Sequence, residues 1–146
     1  MEAKNYKYKI IFLGASGAGA KTSLINRFIG YEFNYNIPST ITPNIHSIFI
    51  QADSGVIYLE LWDTPGQVLY RNMNKLFIRD SNCVILGYAI DCRSSFDEIK
   101  EYHYNTVKNI LVNEPLIYLV ANKIDLFENE EEVSVEEAKN IQKKKI

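Results

Sequence analysis

Apolar and polar positions alternate along the chain in two rhythms. Nearly unbroken apolar runs at residues 8–13, 83–90 and 116–121 suit strands buried on both faces of a parallel sheet. Helical spacing appears between and after them. Residues 22–29 put Leu24, Ile25, Phe28 and Ile29 on one face. Residues 95–112 mix apolar and charged positions behind Ser94 or Ser95 as cap, and a last helix starts after Ser134. Glu137, three residues beyond Ser134, reads as the return half of a capping box. Two β-rich runs, 45–51 and 56–62, flank Ala52-Asp53-Ser54-Gly55, which predicts a hairpin and one antiparallel edge strand. The expected fold is therefore α/β, a mostly parallel sheet with helices against its faces.

The 146 residues suit a single domain, 1–146, long enough to hold one core without staples. A net charge of −2 gives no electrostatic reason to expect nucleic acid or an anionic membrane as partner. Cys83 and Cys92 form neither a disulfide framework nor a zinc spacing, and Cys83, opening an apolar run, reads as a core residue. A reducing, cytoplasmic setting is expected. No stretch has the length of a membrane span, and the chain carries no C-terminal cysteine for lipidation. The acidic cluster at 128–132 reads as a solvated loop, and Arg71 and Arg79 as surface charges. His46 and His103 have no partner at a useful spacing and receive no role.

The first apolar run ends at Leu13 and continues Gly14-Ala15-Ser16-Gly17-Ala18-Gly19-Ala20-Lys21-Thr22-Ser23. A strand, a glycine-rich turn and a Lys-Thr opening a helix make a phosphate site. Glycines let successive N–H groups turn inward, and the helix N-terminus adds positive potential. Lys21 would meet the outer phosphates and the Thr22 hydroxyl a magnesium ion. The spacing departs from G-x-x-x-x-G-K-[ST], because Ala20 separates Gly19 from Lys21. Strand and helix are intact on either side, so the loop must absorb one residue. A displaced lysine or a lost N–H is expected to weaken phosphate binding, at ~1.5–3 kcal/mol per charge-assisted bond.

Two further segments follow predicted strands. In Leu61-Trp62-Asp63-Thr64-Pro65-Gly66-Gln67, Asp63 can serve the magnesium shell, Gly66 can bring its N–H close to a γ-phosphate, and Gln67 can orient an attacking water. In Ala121-Asn122-Lys123-Ile124-Asp125, the Asp125 carboxylate offers two acceptors to the paired N–H donors of guanine, which adenine lacks. Lys123 can lie along the base, and Asn122 can tie the segment to the phosphate loop. An ATPase or kinase reading would leave Asp125 without a purpose. Each motif is weak alone; three in order, each after a strand, are not.

These residues resemble the Ras superfamily, and its Rab branch most. Lys9-Ile10-Ile11-Phe12-Leu13-Gly14, Lys21-Thr22-Ser23-Leu24, Trp62-Asp63-Thr64, Asp91 with Ser95-Phe96, and Asn122-Lys123-Ile124-Asp125-Leu126 fall in family order over essentially the whole chain. The resemblance implies a P-loop NTPase three-layer fold and a GTP/GDP switch with Mg²⁺, acting in membrane traffic through effector, exchange-factor and GTPase-activating proteins. It implies that Thr40 reaches the metal and the γ-phosphate from switch I. Phe33 matches the aromatic that packs on guanine, with an ordinary loop anchor as the alternative. It also implies that a last strand, a last helix and a lipidated tail lie outside these residues. The chain is then expected to be incomplete at its end, to expose a strand edge open to association, and to reach vesicle membranes only through such a tail.

Thr42-Pro43 after Ile41, Pro65 in place of the usual alanine, and Val68 after Gln67 depart from the family pattern. No residue is an evident arginine finger, so hydrolysis should be slow and partner-dependent, with Gln67 and Lys21 as its catalytic residues. The alternative expectation is a pseudo-GTPase or scaffold domain, one half of a tandem protein, with Ala20 and Pro65 as its marks.

Overall fold

The computed structural model describes residues 4–53, 55–126 and 131–145. Five strands form one sheet: β1 (Lys4–Leu13), β2 (Asn44–Ala52), β3 (Gly55–Asp63), β4 (Cys83–Ala89) and β5 (Leu116–Asn122), in the order β2-β3-β1-β4-β5. β3, β1, β4 and β5 run parallel; only β2 is antiparallel, paired with β3 from Asn44 opposite Asp63 to Ala52 opposite Gly55. The expected hairpin edge is thus present, although Ser54 in its turn lies outside the described residues. β1 begins four residues before its apolar run, because Lys4 to Phe12 pair along β3 whatever their polarity.

The helices are α1 (Lys21–Phe28), α2 (Arg71–Ile78), α3 (Arg93–Glu98), α4 (Tyr104–Ile110) and α5 (Val135–Lys145). Side chains alternate across the sheet. Ile11, Leu13, Val84 and Leu86 face a core closed by Ile78 of α2, Phe96 of α3 and Val107 of α4. Phe12 and Leu61 face the other way, onto Ile25 of α1. The result is three layers, with α1 alone on its side among the described residues.

The helix expected at 95–112 differs in two respects. It starts at Arg93, where the Ser95 hydroxyl accepts the Ala89 N–H and donates to the Cys92 carbonyl instead of capping from outside. It also passes through a π-helical segment, Ile99–His103, between α3 and α4. The Ser134 hydroxyl does accept the Glu137 N–H at the start of α5. The return half of the box is absent, because the Glu137 carboxylate pairs with Arg93 at 2.6 Å. Glu132 is likewise more than a solvated charge, accepting the Arg93 N–H; Glu128 and Glu130 lie outside the described residues. Cys83 is half-buried at the start of β4 rather than a full core residue.

Candidate functional site

Loops at the C-terminal ends of parallel strands meet over the sheet, as ligand sites in such folds do. The turn after β1 packs on β4 so tightly that a Cβ at Gly14 would lie 2.2 Å from the Gly87 carbonyl. Gly17 takes φ 73°, and Ala20 takes φ 46° and ψ 26°. Ala20 therefore occupies, in the left-handed region, the place directly before the lysine that the motif gives to glycine. Counted back from Lys21, the surplus residue is absorbed between Gly14 and Gly19, and Ala20 itself is the misfit. The expectation that Ala20 is simply the extra residue is corrected in that sense.

Lys21 is buried, with its Nζ on the Gly14 carbonyl at 2.8 Å and the Ala15 carbonyl at 3.4 Å. Burial pushes its ammonium below the ordinary lysine range, while the charges of Asp63 and Glu98 pull it back up. The ammonium is thus held on neutral carbonyls, with no carboxylate among the described residues in ion-pair contact, and an anion entering the loop would find an unneutralised charge.

Beside it, the Thr22 hydroxyl donates to Asp63 Oδ2 at 2.6 Å, and Thr40 reaches both Thr22, at 3.0 Å, and Asp63 Oδ2, at 3.2 Å. The second carboxylate oxygen, Asp63 Oδ1, is buried with no partner among the described residues. One carboxylate and two hydroxyls with an orphaned anionic oxygen fit a hard divalent cation that completes its shell with phosphate and water. Thr22, Thr40 and Asp63 are the residues that would hold it. The Thr64 hydroxyl donates to the Phe12 carbonyl at 2.5 Å, which fixes Asp63 at the end of its strand.

Asn122 is buried at the end of β5, and its Nδ2 donates to the Gly19 carbonyl at 2.9 Å. That bond ties the third motif to the first across 103 residues. Lys123, at φ 60°, turns its ammonium to Asp91 at 2.9 Å. Asp125 is exposed, and its carboxylate has no protein partner among the described residues. A cavity of 620 Å³ joins these parts: Ser16, Gly17 and Ala20 to Ser23 on one wall, Phe33 and Thr40 on another, with Gly66, Asn122, Lys123 and Asp125. The Ras family model matches residues 9–146 of the chain.

The chain belongs to the Ras family. It is 32% identical over 121 residues to the Ras-related protein Rab7 of Glycine max, covering 81% of this chain and 58% of that one. To the Ras-related protein Rab-9A of Homo sapiens it is 31% identical over 141 residues, 94% of this chain and 69% of the relative. The Ras-related protein Rab-1 of Theileria parva is 33% identical over 141 residues, covering 97% and 63% respectively. The chain thus spans less than two thirds of the Glycine max and Theileria parva relatives.

Within this Ras-family site the expected residues separate into two groups. Gly14, Ala18 and Gly19 shape the loop from behind and are not part of the cavity wall, and Asp63 reaches it only through Thr22 and Thr40. Gln67 is exposed and lies outside the cavity. Phe33 is 54% exposed, its ring edge-on to Tyr35 at 4.8 Å, so it is no buried loop anchor. Ser39, unmarked in the sequence, faces Ser16 across the loop with hydroxyl oxygens 3.3 Å apart. Arg71, read above as a surface charge, pairs with Glu98 at 3.0 Å and lies over the Tyr102 ring. Nothing short of the fold reveals these last contacts, because their partners are distant in sequence.

Proposed function

We propose that this domain binds GTP and GDP with Mg²⁺ and acts as a slow GTP hydrolase, a switch in vesicle traffic of the kind its Rab-named relatives suggest. One observation carries the reading: a single cavity is walled by the phosphate loop, Thr22 and Thr40, Gly66, and the free carboxylate of Asp125. Guanine would meet Asp125, which selects against adenine, and the phosphates would meet Lys21 and the N–H groups of the loop. Magnesium would supply charge neutralisation at the outer phosphates. The chain's own part in hydrolysis is to place water, through Gln67, in line with the γ-phosphorus as the bond to the β-phosphate oxygen breaks. Gln67 stands outside the cavity and must move inward, and the arginine on the cavity wall among the described residues, Arg27, donates to the Tyr31 carbonyl at 2.8 Å. Both points support slow turnover that depends on a partner protein.

A second reading, a scaffold domain that binds nucleotide weakly and does no chemistry, draws on the strained Ala20 and on the Ser16 N–H bonded to the Gly66 carbonyl at 3.2 Å. Chromatography of nucleotide released from the purified protein, followed by titration with fluorescent GDP in Mg²⁺, separates the two. Bound guanine nucleotide and tight binding support the switch; an empty protein that binds weakly supports the scaffold. In a working switch, Gln67→Leu should lower single-turnover hydrolysis at least tenfold and leave GDP affinity within about twofold.

A further inference from the structure

Asn74 is a polar residue of α2 that none of the motifs contains, yet it is only 5% exposed. Its Nδ2 donates to the Pro65 carbonyl at 2.7 Å. Its Oδ1 is buried without a partner among the described residues, so the side chain is held for its donor at the expense of its acceptor.

The peptide that Asn74 grips is the one that carries the Gly66 N–H. No cis peptide bond occurs among the described residues, and in a planar trans unit the C=O and N–H point in opposite directions. Fixing the Pro65 carbonyl toward α2 therefore turns the Gly66 N–H away from α2. Gly66 stands on the cavity wall, close enough that a Cβ there would lie 2.7 Å from Lys21 Nζ and 2.5 Å from the Ser16 nitrogen. Its N–H has no protein acceptor among the described residues. Pro65 sharpens the effect, since it lacks an N–H and the carbonyl is its only backbone handle.

We infer that Asn74 is a positioning residue for the γ-phosphate: by holding the Pro65–Gly66 peptide, it aims the Gly66 N–H at the third phosphate and so sets the preference for GTP over GDP. This inference rests on the nucleotide-binding reading above. It concerns only the terminal phosphate, because GDP has no group at that position.

The test is the ratio of affinities for a fluorescent non-hydrolysable GTP analogue and fluorescent GDP, in Mg²⁺, for wild type, Asn74→Leu and Asn74→Asp. Both variants keep the approximate shape; leucine removes the donor outright, and aspartate removes it wherever its carboxyl is ionised. The leucine removes the orphaned Oδ1 but leaves the Pro65 carbonyl without its donor, so its melting temperature should stay close to that of wild type. The expected result is a loss of about tenfold or more in analogue affinity, the scale of one bond to a charged group, with GDP affinity nearly unchanged. A merely structural Asn74 would instead lower stability and weaken both ligands together, and that outcome overturns the inference. Unchanged ratios in both variants, on a wild type that binds both ligands, overturn it while leaving the function standing. A wild type that binds neither ligand overturns the function and this inference together.

Discussion

Ala20 carries a Cβ at φ 46°, where a non-glycine residue costs roughly 1–2 kcal/mol over the usual conformation. After the extra chain entropy of glycine in the unfolded state, Ala20→Gly should raise stability by about 0.5–1 kcal/mol, measured by urea unfolding. Deleting Ala20 carries Gly19 into the left-handed place and restores the motif spacing. GDP and GTP should then both bind more tightly, and unchanged affinity for both would remove Ala20 as the weak point. Lys21 poses the opposite problem, a buried ammonium whose charge is costly in the empty fold. Its pKa is lowered, so the penalty stands at neutral pH and disappears only as pH rises through the folded value. Lys21→Met should therefore leave the melting temperature of the empty protein unchanged or higher, while nucleotide affinity falls about a hundredfold. A fall in both would mean that the lysine holds the loop together by itself.

At the scale of elements, α2 is fastened to the α3–α4 helix through Arg71, Glu98 and His103. His103 is only 4% exposed, and its Nε2 lies 2.9 Å from Glu98. The two residues are five apart, a spacing that an α-helix rotates well away from one face and that the π-helical segment brings together. Burial by itself raises the Glu98 carboxyl, but the hydrogen bonds from His103 and Arg71 outweigh it and hold it below the ordinary 4.5. A carboxylate depressed in the fold contributes stability above its unfolded value, lost as pH falls through the folded one. Glu98→Gln should accordingly cost about 2 kcal/mol at pH 7, between an exposed and a buried pair. The difference from wild type should shrink below about pH 4, which unfolding curves at pH 7 and pH 3.5 would measure. A constant difference across that range would assign the loss to packing instead.

For the whole molecule, the two faces of the sheet are unequally covered. α2, α3 and α4 close one; α1 alone lies on the other among the described residues, leaving Tyr8 40% and Tyr118 52% exposed. Apolar surface of this kind favours association, and sedimentation of the 146-residue chain should show oligomers that grow with concentration. A strict monomer at high concentration would show that the exposed face is too small to drive it. No helix among the described residues is long and apolar enough to cross a membrane. Ligand linkage acts at this scale as well. If the domain binds nucleotide as proposed, GDP with Mg²⁺ at a hundred times the dissociation constant should add about 2.7 kcal/mol of stability. For a domain of this size that is a rise of roughly 8–10 °C in melting temperature. Chelating the metal should reduce the rise, if the orphaned Asp63 oxygen is what the cation meets.

The sequence by itself determined the five strands and the helices at α1, α3–α4 and α5, the family, and the three motifs. Those features are local: apolar runs mark buried strands, and each motif is a few consecutive residues at a strand end. Even the hairpin edge follows from two neighbouring runs. What depends on distant partners was decided only by the tertiary structure. Ala20 looks like an inserted residue in the string, but the backbone shows it filling the glycine place, because Asn122 fixes Gly19 from across the sheet. His103 has no partner at a 3.6-residue period and meets Glu98 only because the helix widens between them. Asn74 had no motif to announce it, since its one bond runs to a carbonyl nine residues back. A backbone dihedral, a helix period or a buried donor's target is set by what packs around it, and none of the three exists until the chain has folded.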